Sequence, residues 1–284
     1  MAVPATLSLP ECWNDVAAGY TADLVPHFQL YAQDALRLAE LPPRARVLDI
    51  AAGPGTLALL AARTAEHVVA VDFADAMLAE LKRRVAEADL TNVEIVQADG
   101  QSLPLEDAGF HGVFSMFGLI FFPDRQAGFR EIVRVLKPGC RAVISSWAPL
   151  NQVPLLRSFF GALAELLPSL PFGDGKAPLA DADEFRSEME AAGFRNIQIH
   201  AVTHSVTVTS MAEFWDSNAR SSAPLGIVRK QLSPVEWQQL GERVVEKLEQ
   251  EYGRRAVEMS WPARLGVGDR QPQLQIQPER PTWL

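Results

Sequence analysis

The chain has 284 residues, of which 48% are hydrophobic, and a formal net charge of −9. This length supports one large α/β domain with an added cap, or two small domains. The acidic balance and the short basic clusters argue against a nucleic-acid-binding protein. Only two cysteines occur, Cys12 and Cys140, far apart in sequence. They provide neither a disulfide framework nor a metal-ligand spacing, so no metal is expected.

The first residues of the chain lack the basic region and the long apolar core of a signal peptide. No apolar run approaches the length of a membrane span. We therefore expect a cytoplasmic protein.

The segment 11–40 is amphipathic. Its apolar residues recur at steps of three and four, which predicts one or two helices. Pro26 is expected to separate them. Pro42 and Pro43 should end the segment. The recurring apolar residues are Trp13, Val16, Tyr20, Leu24, Phe28, Tyr31, Ala35 and Leu38.

The segment 46–72 is the centre of the predicted fold. A short apolar run around Val47 predicts a buried strand, and Gly53 and Gly55 then predict a sharp turn. A helix and a second β-branched strand ending at Asp72 follow. The unit is therefore a βαβ motif of the nucleotide-binding type. Asp72, at the tip of its second strand, can accept two hydrogen bonds from a ribose.

Two cofactors use this geometry. Residues 53–58 match the G-x-G-x-x-A pattern of dinucleotide sites, which alone is a weak signal. Asp49, however, lies at the end of the first strand, where it would repel a pyrophosphate. In a site for S-adenosylmethionine the same carboxylate can face a cation. A third interpretation is an ordinary βαβ unit that binds no cofactor, in which Asp49 is solvated.

Further strands and helices alternate along the chain. A helix is predicted over 73–86 and a strand over 91–98, which ends in Asp99 and Gly100. Strand four is predicted over 110–117, a helix over 125–136, a Pro-Gly turn over 137–140 and strand five over 141–147. The C-terminal end of strand four, Met116 and Phe117, should meet both cofactor and substrate.

The rest of the chain, from residue 151, is predicted to add a cap. The segment 151–170 is apolar with a helical period, and 171–176 is a flexible loop and lid candidate. Strand six is predicted over 197–208 and strand seven over 255–267. Two helices opened by Ser210 and Ser233 are expected between these strands. A Pro- and Gln-rich tail should begin at Asp269.

Several of these motifs resemble those of one family. Residues 48–55 read Leu-Asp-Ile-Ala-Ala-Gly-Pro-Gly, which resembles the first motif of the class I S-adenosylmethionine-dependent methyltransferases. Residues 72–78 resemble the second motif, and 136–140 resemble the Leu-Lys-Pro-Gly-Gly turn, with Cys140 as a departure. The likeness is to the branch that contains the ubiquinone/menaquinone C-methyltransferases and many small-molecule enzymes.

The resemblance implies a Rossmann-like α/β fold. Its seven-stranded sheet should have the order 3-2-1-4-5-7-6, with strand seven antiparallel and a helical cap. It also implies that S-adenosyl-L-methionine is the cofactor, with Met77 under the adenine and Asp99 near its amino group. The predicted cofactor-binding residues are Asp49, Ala51, Gly53, Gly55, Asp72, Phe73, Met77, Asp99, Gly100, Met116 and Phe117.

The acceptor is expected to be a small apolar or aromatic molecule with an oxygen, nitrogen or carbon nucleophile. No histidine has a spacing that identifies a catalytic base. In relatives the N-terminal helices fold over the cofactor, which makes His27 and Tyr20 the catalytic candidates. The substrate-binding candidates are Tyr20, Phe122, Trp147 and Trp215.

The predicted organisation is an N-terminal helical lid (1–43), a methyltransferase domain (44–268) and a tail (269–284). Cap insertions are placed at about 151–180 and 210–252, and their apolar helices suit an acceptor pocket, a core or a homodimer surface. An NAD(P)-dependent oxidoreductase and a non-catalytic cofactor-binding relative are the alternative functions.

Overall fold

The computed structural model describes residues 5–167 and 177–272, and a seven-stranded sheet lies at its centre. The strands are β1 (Arg46–Ile50), β2 (His67–Asp72), β3 (Val93–Gln97), β4 (Phe110–Ser115), β5 (Leu136–Trp147), β6 (Phe194–Val208) and β7 (Val257–Arg270). Their order is β3-β2-β1-β4-β5-β7-β6, and β7 is antiparallel to both of its neighbours. The predicted order and the antiparallel seventh strand are therefore confirmed.

The first strand is buried on both faces of the sheet. Val47 pairs with Val68 of β2 and belongs to the apolar cluster on one face. Leu48 pairs with Val113 of β4 and belongs to the cluster on the other face. Burial of alternate residues in two clusters explains why the strand is a continuous apolar run rather than an alternating pattern.

The N-terminal segment forms three helices, where one or two were predicted. They are α1 (Pro10–Asn14), α2 (Ala17–Asp23) and α3 (Val25–Ala39). The break before α3 falls at Leu24, and Pro26 lies in the first turn of the helix. A proline fits there because the first N–H groups of a helix have no partner within the helix.

Helices cover both faces of the sheet, and most follow the predicted alternation. They are α4 (Thr56–Ala61), α5 (Asp75–Glu87), α6 (Arg125–Val135), α7 (Pro154–Leu166), α8 (Ala182–Ala191), α9 (Met211–Ser221), α10 (Ala223–Arg229) and α11 (Pro234–Tyr252).

The predicted turn over 137–140 is wrong, because these residues belong to β5. Phe110 of β4 pairs with Leu136, and Gly112 pairs with Arg141, so β5 contains a bulge between the two pairs. Gly139 has φ +77° within this bulge. A bulge lets one strand carry additional residues without leaving the ladder. The Pro-Gly signal therefore marks an irregular strand rather than its boundary.

The last strand also differs from its prediction. It continues to Arg270, so it includes the first two residues of the tail that was predicted to start at Asp269. Asp269 forms an ion pair with Arg141 of β5. Pairing with β5 and β6 therefore extends the strand into a segment whose composition predicted a loop.

The cap has an apolar cluster of its own. It is formed by α7, α9, α10 and α11 with the outer ends of β6 and β7. Ser210 and Ser233 cap α9 and α11 as predicted. The short α10 was not predicted, because seven residues carry too little periodicity. The loop predicted at 171–176 lies outside the described residues.

Candidate active site

A small cavity lies at the carboxyl ends of β1 and β4. It encloses about 30 Å³ and is closed by Tyr20 of α2 and Phe28 of α3. The site of a small-molecule ligand usually measures roughly 300 Å³ or more, so this cavity is smaller than a ligand site. The lining residues are Tyr20, Phe28, Asp49, Ala51, Ala52, Gly53, Pro54, Thr56, Leu57, Met116 and Phe117.

The two predicted glycines play different parts in the loop after β1. Both have positive φ, +53° for Gly53 and +79° for Gly55, which suits glycine. A Cβ on Gly53 would meet only the sulfur of Met77, at 3.9 Å, so this position is open. A Cβ on Gly55 would lie 2.2 Å from Leu81 of α5. Gly55 does not line the cavity, and it allows the loop to pack on α5.

Asp49 is a buried carboxylate in the cavity wall. It is 1% exposed, and its Oδ2 accepts a hydrogen bond of 3.0 Å from the Ala58 N–H. Burial raises the pKa of Asp49 to about 8, and the nearby charge of Asp72 acts in the same direction. A cation bound beside Asp49 would favour its ionised form.

Asp72 holds two turns of backbone together at the tip of β2. Its Oδ2 accepts a hydrogen bond of 2.7 Å from the Gly53 N–H, and its Oδ1 accepts one of 2.9 Å from the Ala74 N–H. Each carboxylate oxygen has a second lone pair, which a ribose hydroxyl could use. Asp72 therefore also positions the glycine loop, a role that the sequence did not indicate.

The predicted adenine side of the site is less well assembled. Asp99 is exposed, and its Oδ1 accepts a 2.8 Å hydrogen bond from the Gln101 N–H. Gly100 is buried, and a Cβ there would lie 2.5 Å from the ring of Phe122. Phe122 thus packs beneath the loop after β3 and not against the cavity.

The first two helices cover the region expected for the adenosine. Asn14 Oδ1 accepts a hydrogen bond of 2.9 Å from the Ala76 N–H in the first turn of α5. Residues of α1 and α2 share an apolar cluster with Met77 and Phe73. Burial and the charge of Asp72 both raise the pKa of Tyr20, so its phenol is neutral and can donate a hydrogen bond.

A column of parallel rings extends from the cavity wall. Phe117 and Trp147 stack at 3.7 Å with an angle of 8° between the rings, and Trp147 stacks on Trp261 at 4.8 Å and 19°. His27 stacks on the other side of Trp261, at 5.4 Å and 19°. We call Phe117, Trp147, Trp261 and His27 the ring column. It contains the predicted residues Trp147 and His27.

Phe117 has an unusual backbone conformation for a bulky residue. Its φ is +58°, and its N–H donates a 2.8 Å hydrogen bond to Ser145 Oγ. Strain of this kind is concentrated at functional sites. Trp261 was not predicted, because it lies in β7 and only the antiparallel pairing of that strand brings it beside Trp147.

Polar groups lie next to the ring column. The fully buried Tyr31 donates a hydrogen bond from its hydroxyl to the Trp261 carbonyl, and its oxygen lies 3.5 Å from His27 Nε2. Behind it, His204 Nε2 lies 2.6 Å from Asp34 Oδ2. Burial and the charge of His204 lower the pKa of His27, which is therefore neutral at pH 7.

Trp215 was a substrate-binding candidate, but it does not line the cavity. It packs near Phe159 and Trp237 inside the cap, and its indole closely contacts Gly241 of α11. Its apolar surface is used in the cap core and is not brought to the cavity.

Sequence comparisons identify the family. A methyltransferase domain model matches residues 47–139. A demethylmenaquinone methyltransferase of Clavibacter sepedonicus is 35% identical over 174 residues, which cover 57% of this chain and 70% of the relative. The chain belongs to the class I S-adenosylmethionine-dependent methyltransferases.

Other matches are shorter or more distant. An uncharacterized protein of Mycobacterium tuberculosis is 37% identical, but only 46% of its length is covered. The crystal structure of a putative methyltransferase from Bacillus halodurans has a TM-score of 0.59 at 20% identity, covering 84% of this chain and 98% of that one. This likeness supports the fold alone.

The residues of the methyltransferase suit its cofactor, S-adenosylmethionine. Gly53 leaves space for a ligand, and Asp49 is a buried carboxylate that a cation would neutralise. The oxidoreductase and the non-catalytic relative are not favoured by the family matches. Within the described residues, no helix is both long and apolar enough to cross a membrane.

Proposed function

We propose that the methyltransferase acts on a small planar aromatic acceptor with a phenolic oxygen or a ring carbon beside a hydroxyl as nucleophile. The ring column carries this proposal, because its first ring, Phe117, lies in the cavity wall and the column supports that ring from behind. Aromatic rings pair favourably with such surfaces. The reduced, quinol form of the quinone named for the Clavibacter sepedonicus relative is of this chemical class.

We assign the cofactor contacts as follows. Asp49 faces a cationic group, Gly53 gives the backbone close access, and Asp72 accepts the ribose hydroxyls. Asp99 and Met77 take the adenine. Gly55 is assigned to loop packing. Ala51, Phe73, Gly100, Met116 and Phe117 complete the predicted set, for which the positions of Ala51, Met116 and Phe117 in the cavity wall give support.

The cofactor supplies a methyl group on a sulfonium, whose leaving group is a neutral thioether. The protein's main task is therefore alignment and exclusion of water. Phe28 and Phe117 supply apolar walls, and Tyr20 offers a neutral phenol that can donate a hydrogen bond to the acceptor or to the cofactor carboxylate. With the cofactor bound, these residues would hold the acceptor's nucleophilic atom in line with the methyl group and exclude water from it.

Transfer of a labelled methyl group from S-adenosylmethionine tests the proposal. The acceptors are a short-chain demethylmenaquinol, simple phenols and naphthols, and aliphatic alcohols and amines of similar size. We expect turnover with hydroxylated rings only, and a loss of at least about tenfold in kcat/KM for Trp147→Leu. Trp237→Leu, in the cap, is the matched control and should retain the activity. Turnover confined to the aliphatic acceptors would refute the aromatic class.

A further inference from the structure

One face of α5 packs against the loop after β1. Met77, Leu81 and Arg84 are spaced at i, i+4 and i+7, so they lie on the same face of this helix. Met77 and Leu81 lie beside the two glycines of the loop. Arg84 Nη1 donates a hydrogen bond to the carbonyl oxygen of Pro54, which stands between those glycines. The helix therefore contacts three successive residues of the loop.

The hydrogen bond from Arg84 holds one peptide group of this loop at both ends. In the peptide between Pro54 and Gly55, the carbonyl accepts from Arg84, and the N–H donates to the Ala52 carbonyl at 2.9 Å. A rotation of this peptide would break both hydrogen bonds. Glycine resists such a rotation less than other residues do, and Gly55 has φ +79°. The guanidinium therefore supplies a restraint that the glycine itself lacks.

Arg84 differs from its neighbour Arg83 in its surroundings. Arg83 is exposed and forms ion pairs with Glu80 and Glu87 on the same helix. Arg84 is half-buried, and among the described residues no carboxylate forms an ion pair with it. Burial lowers the pKa of Arg84, but a guanidinium stays protonated at pH 7. A half-buried cation loses part of its hydration, which strengthens its hydrogen bond to the Pro54 carbonyl.

We propose that Arg84 is a positioning residue that holds the loop after β1 in its binding shape before S-adenosylmethionine arrives. Pro54 lines the cavity, as do Thr56 and Leu57 in the first turn of α4. The peptide that Arg84 holds joins these residues, so its orientation sets the shape of this wall. A loop that is already ordered binds more tightly, because binding does not have to order it. The proposal rests on the assignment of this cavity to the cofactor under the proposed function.

Calorimetry of the full-length protein with S-adenosylhomocysteine tests this role without an acceptor. Arg84→Met keeps a long side chain and removes the guanidinium, so Kd should rise at least about tenfold, as expected when a charge-assisted hydrogen bond is lost. Arg83→Met removes the same charge one residue away and is the matched control. Its Kd should change by no more than about twofold, because exposed ion pairs contribute little. A role in stability alone would lower the Tm of Arg84→Met and leave the Kd of the folded variant unchanged, which would overturn the proposal.

Hydrogen exchange followed by NMR tests the peptide itself in the unliganded protein. The Gly55 N–H should exchange at least about tenfold faster in Arg84→Met than in the wild type, and at the wild-type rate in Arg83→Met. An unchanged rate in Arg84→Met would overturn the proposal. Arg84→Gln, which replaces the guanidinium with a shorter amide, serves both measurements if Arg84→Met does not fold.

Asp72→Ala separates this proposal from the assignment of the cofactor site. Weaker S-adenosylhomocysteine binding in Asp72→Ala, beside wild-type affinity in Arg84→Met, would overturn the positioning role alone. Wild-type affinity in both variants would overturn the assignment of the cavity to the cofactor as well. Weaker binding in both, with Arg83→Met unchanged, is the expected result.

Discussion

At the scale of single residues, two buried carboxylates lie at the proposed cofactor site. Asp49 and Asp72 lie at the ends of neighbouring strands, and burial raises the pKa of both. Asp72 retains backbone N–H donors on both oxygens. Asp49 has one such donor, from Ala58, and a pKa of about 8. A cationic ligand beside Asp49 therefore has to displace a proton at neutral pH.

We predict that cofactor binding releases a proton from Asp49. The pKa of Asp49 is about 8 in the folded protein and 3.8 ordinarily, so between these pH values the folded, unliganded protein holds one proton that the unfolded chain has lost. The free energy of unfolding therefore falls as pH rises through this range. A cation bound beside Asp49 makes the ionised carboxylate the favoured form. Affinity for S-adenosylmethionine should fall about tenfold per pH unit below 8. Calorimetry in buffers of different ionisation enthalpy measures the release, and Asp49→Asn should abolish it.

We predict that Asp72→Ala weakens cofactor binding while the fold survives. A lost charge-assisted hydrogen bond costs roughly 1.5–3 kcal/mol when its partner stays buried. The mutation removes the ribose acceptor and also frees the Gly53 N–H. Titration with S-adenosylhomocysteine provides the measurement, and Asp75→Ala, an exposed acid in the next turn, is the control. Wild-type affinity in folded Asp72→Ala would disprove the assignment.

At the scale of elements, the contact between α2 and α9 joins the N-terminal helices to the cap. A Cβ on Gly19 would lie 2.3 Å from the Arg220 carbonyl oxygen, so only glycine permits this approach. Ion pairs from Arg220 to Asp23 and from Lys230 to Asp15 cross the same boundary. The pairs are largely exposed and add little stability, so the close backbone contact is the specific feature.

We predict that Gly19→Ala separates α2 from α9. The added methyl meets backbone rather than a flexible side chain, and such overpacking costs roughly 1–3 kcal/mol. Thermal unfolding should show a lower Tm, and hydrogen exchange should show faster opening of residues 10–23. Gly226→Ala, across the same groove, is the matched control, because its Cβ would meet only Val16 Cγ1, at 3.4 Å. Equal Tm values for the two variants would contradict the prediction.

At the scale of the whole molecule, the three N-terminal helices belong to two different parts. Tyr31 and Asp34 of α3 bind β7 and β6, and Arg141 of β5 donates to the Leu38 carbonyl. In contrast, α1 and α2 contact α5, α9 and α10 across the predicted adenosine site. We therefore propose a lid of residues 5–23 that moves about Leu24. This proposed lid is shorter than the segment 1–43 that was predicted from the sequence.

We predict that ligand binding protects α1 and α2 selectively. Hydrogen exchange with saturating S-adenosylhomocysteine should slow in residues 10–23 and remain unchanged in 25–39, which packs on the sheet in either state. Equal protection of both segments would show that α3 moves with the lid. Protection without ligand that disappears on dilution would indicate instead a contact in a homodimer, which the sequence left open.

The sequence alone determined the sheet and the cofactor loop, because both depend on local patterns. Apolar runs with β-branched residues predict buried strands, and Gly53, Asp72 and Asp49 follow each other within one βαβ unit. The order of the strands was obtained from the family resemblance. The bulge in β5 and the extension of β7 were missed, because each depends on a partner strand.

Only the tertiary structure brought together the residues of the proposed acceptor side. Trp261 joins Trp147 through antiparallel pairing of β7 with β5, and His27 joins them from a helix more than two hundred residues before Trp261. Tertiary packing also places Trp215 in the cap core and brings Leu81 against the backbone of Gly55. Residue type predicts that an aromatic ring will be buried, but the side on which it is buried depends on elements distant in sequence.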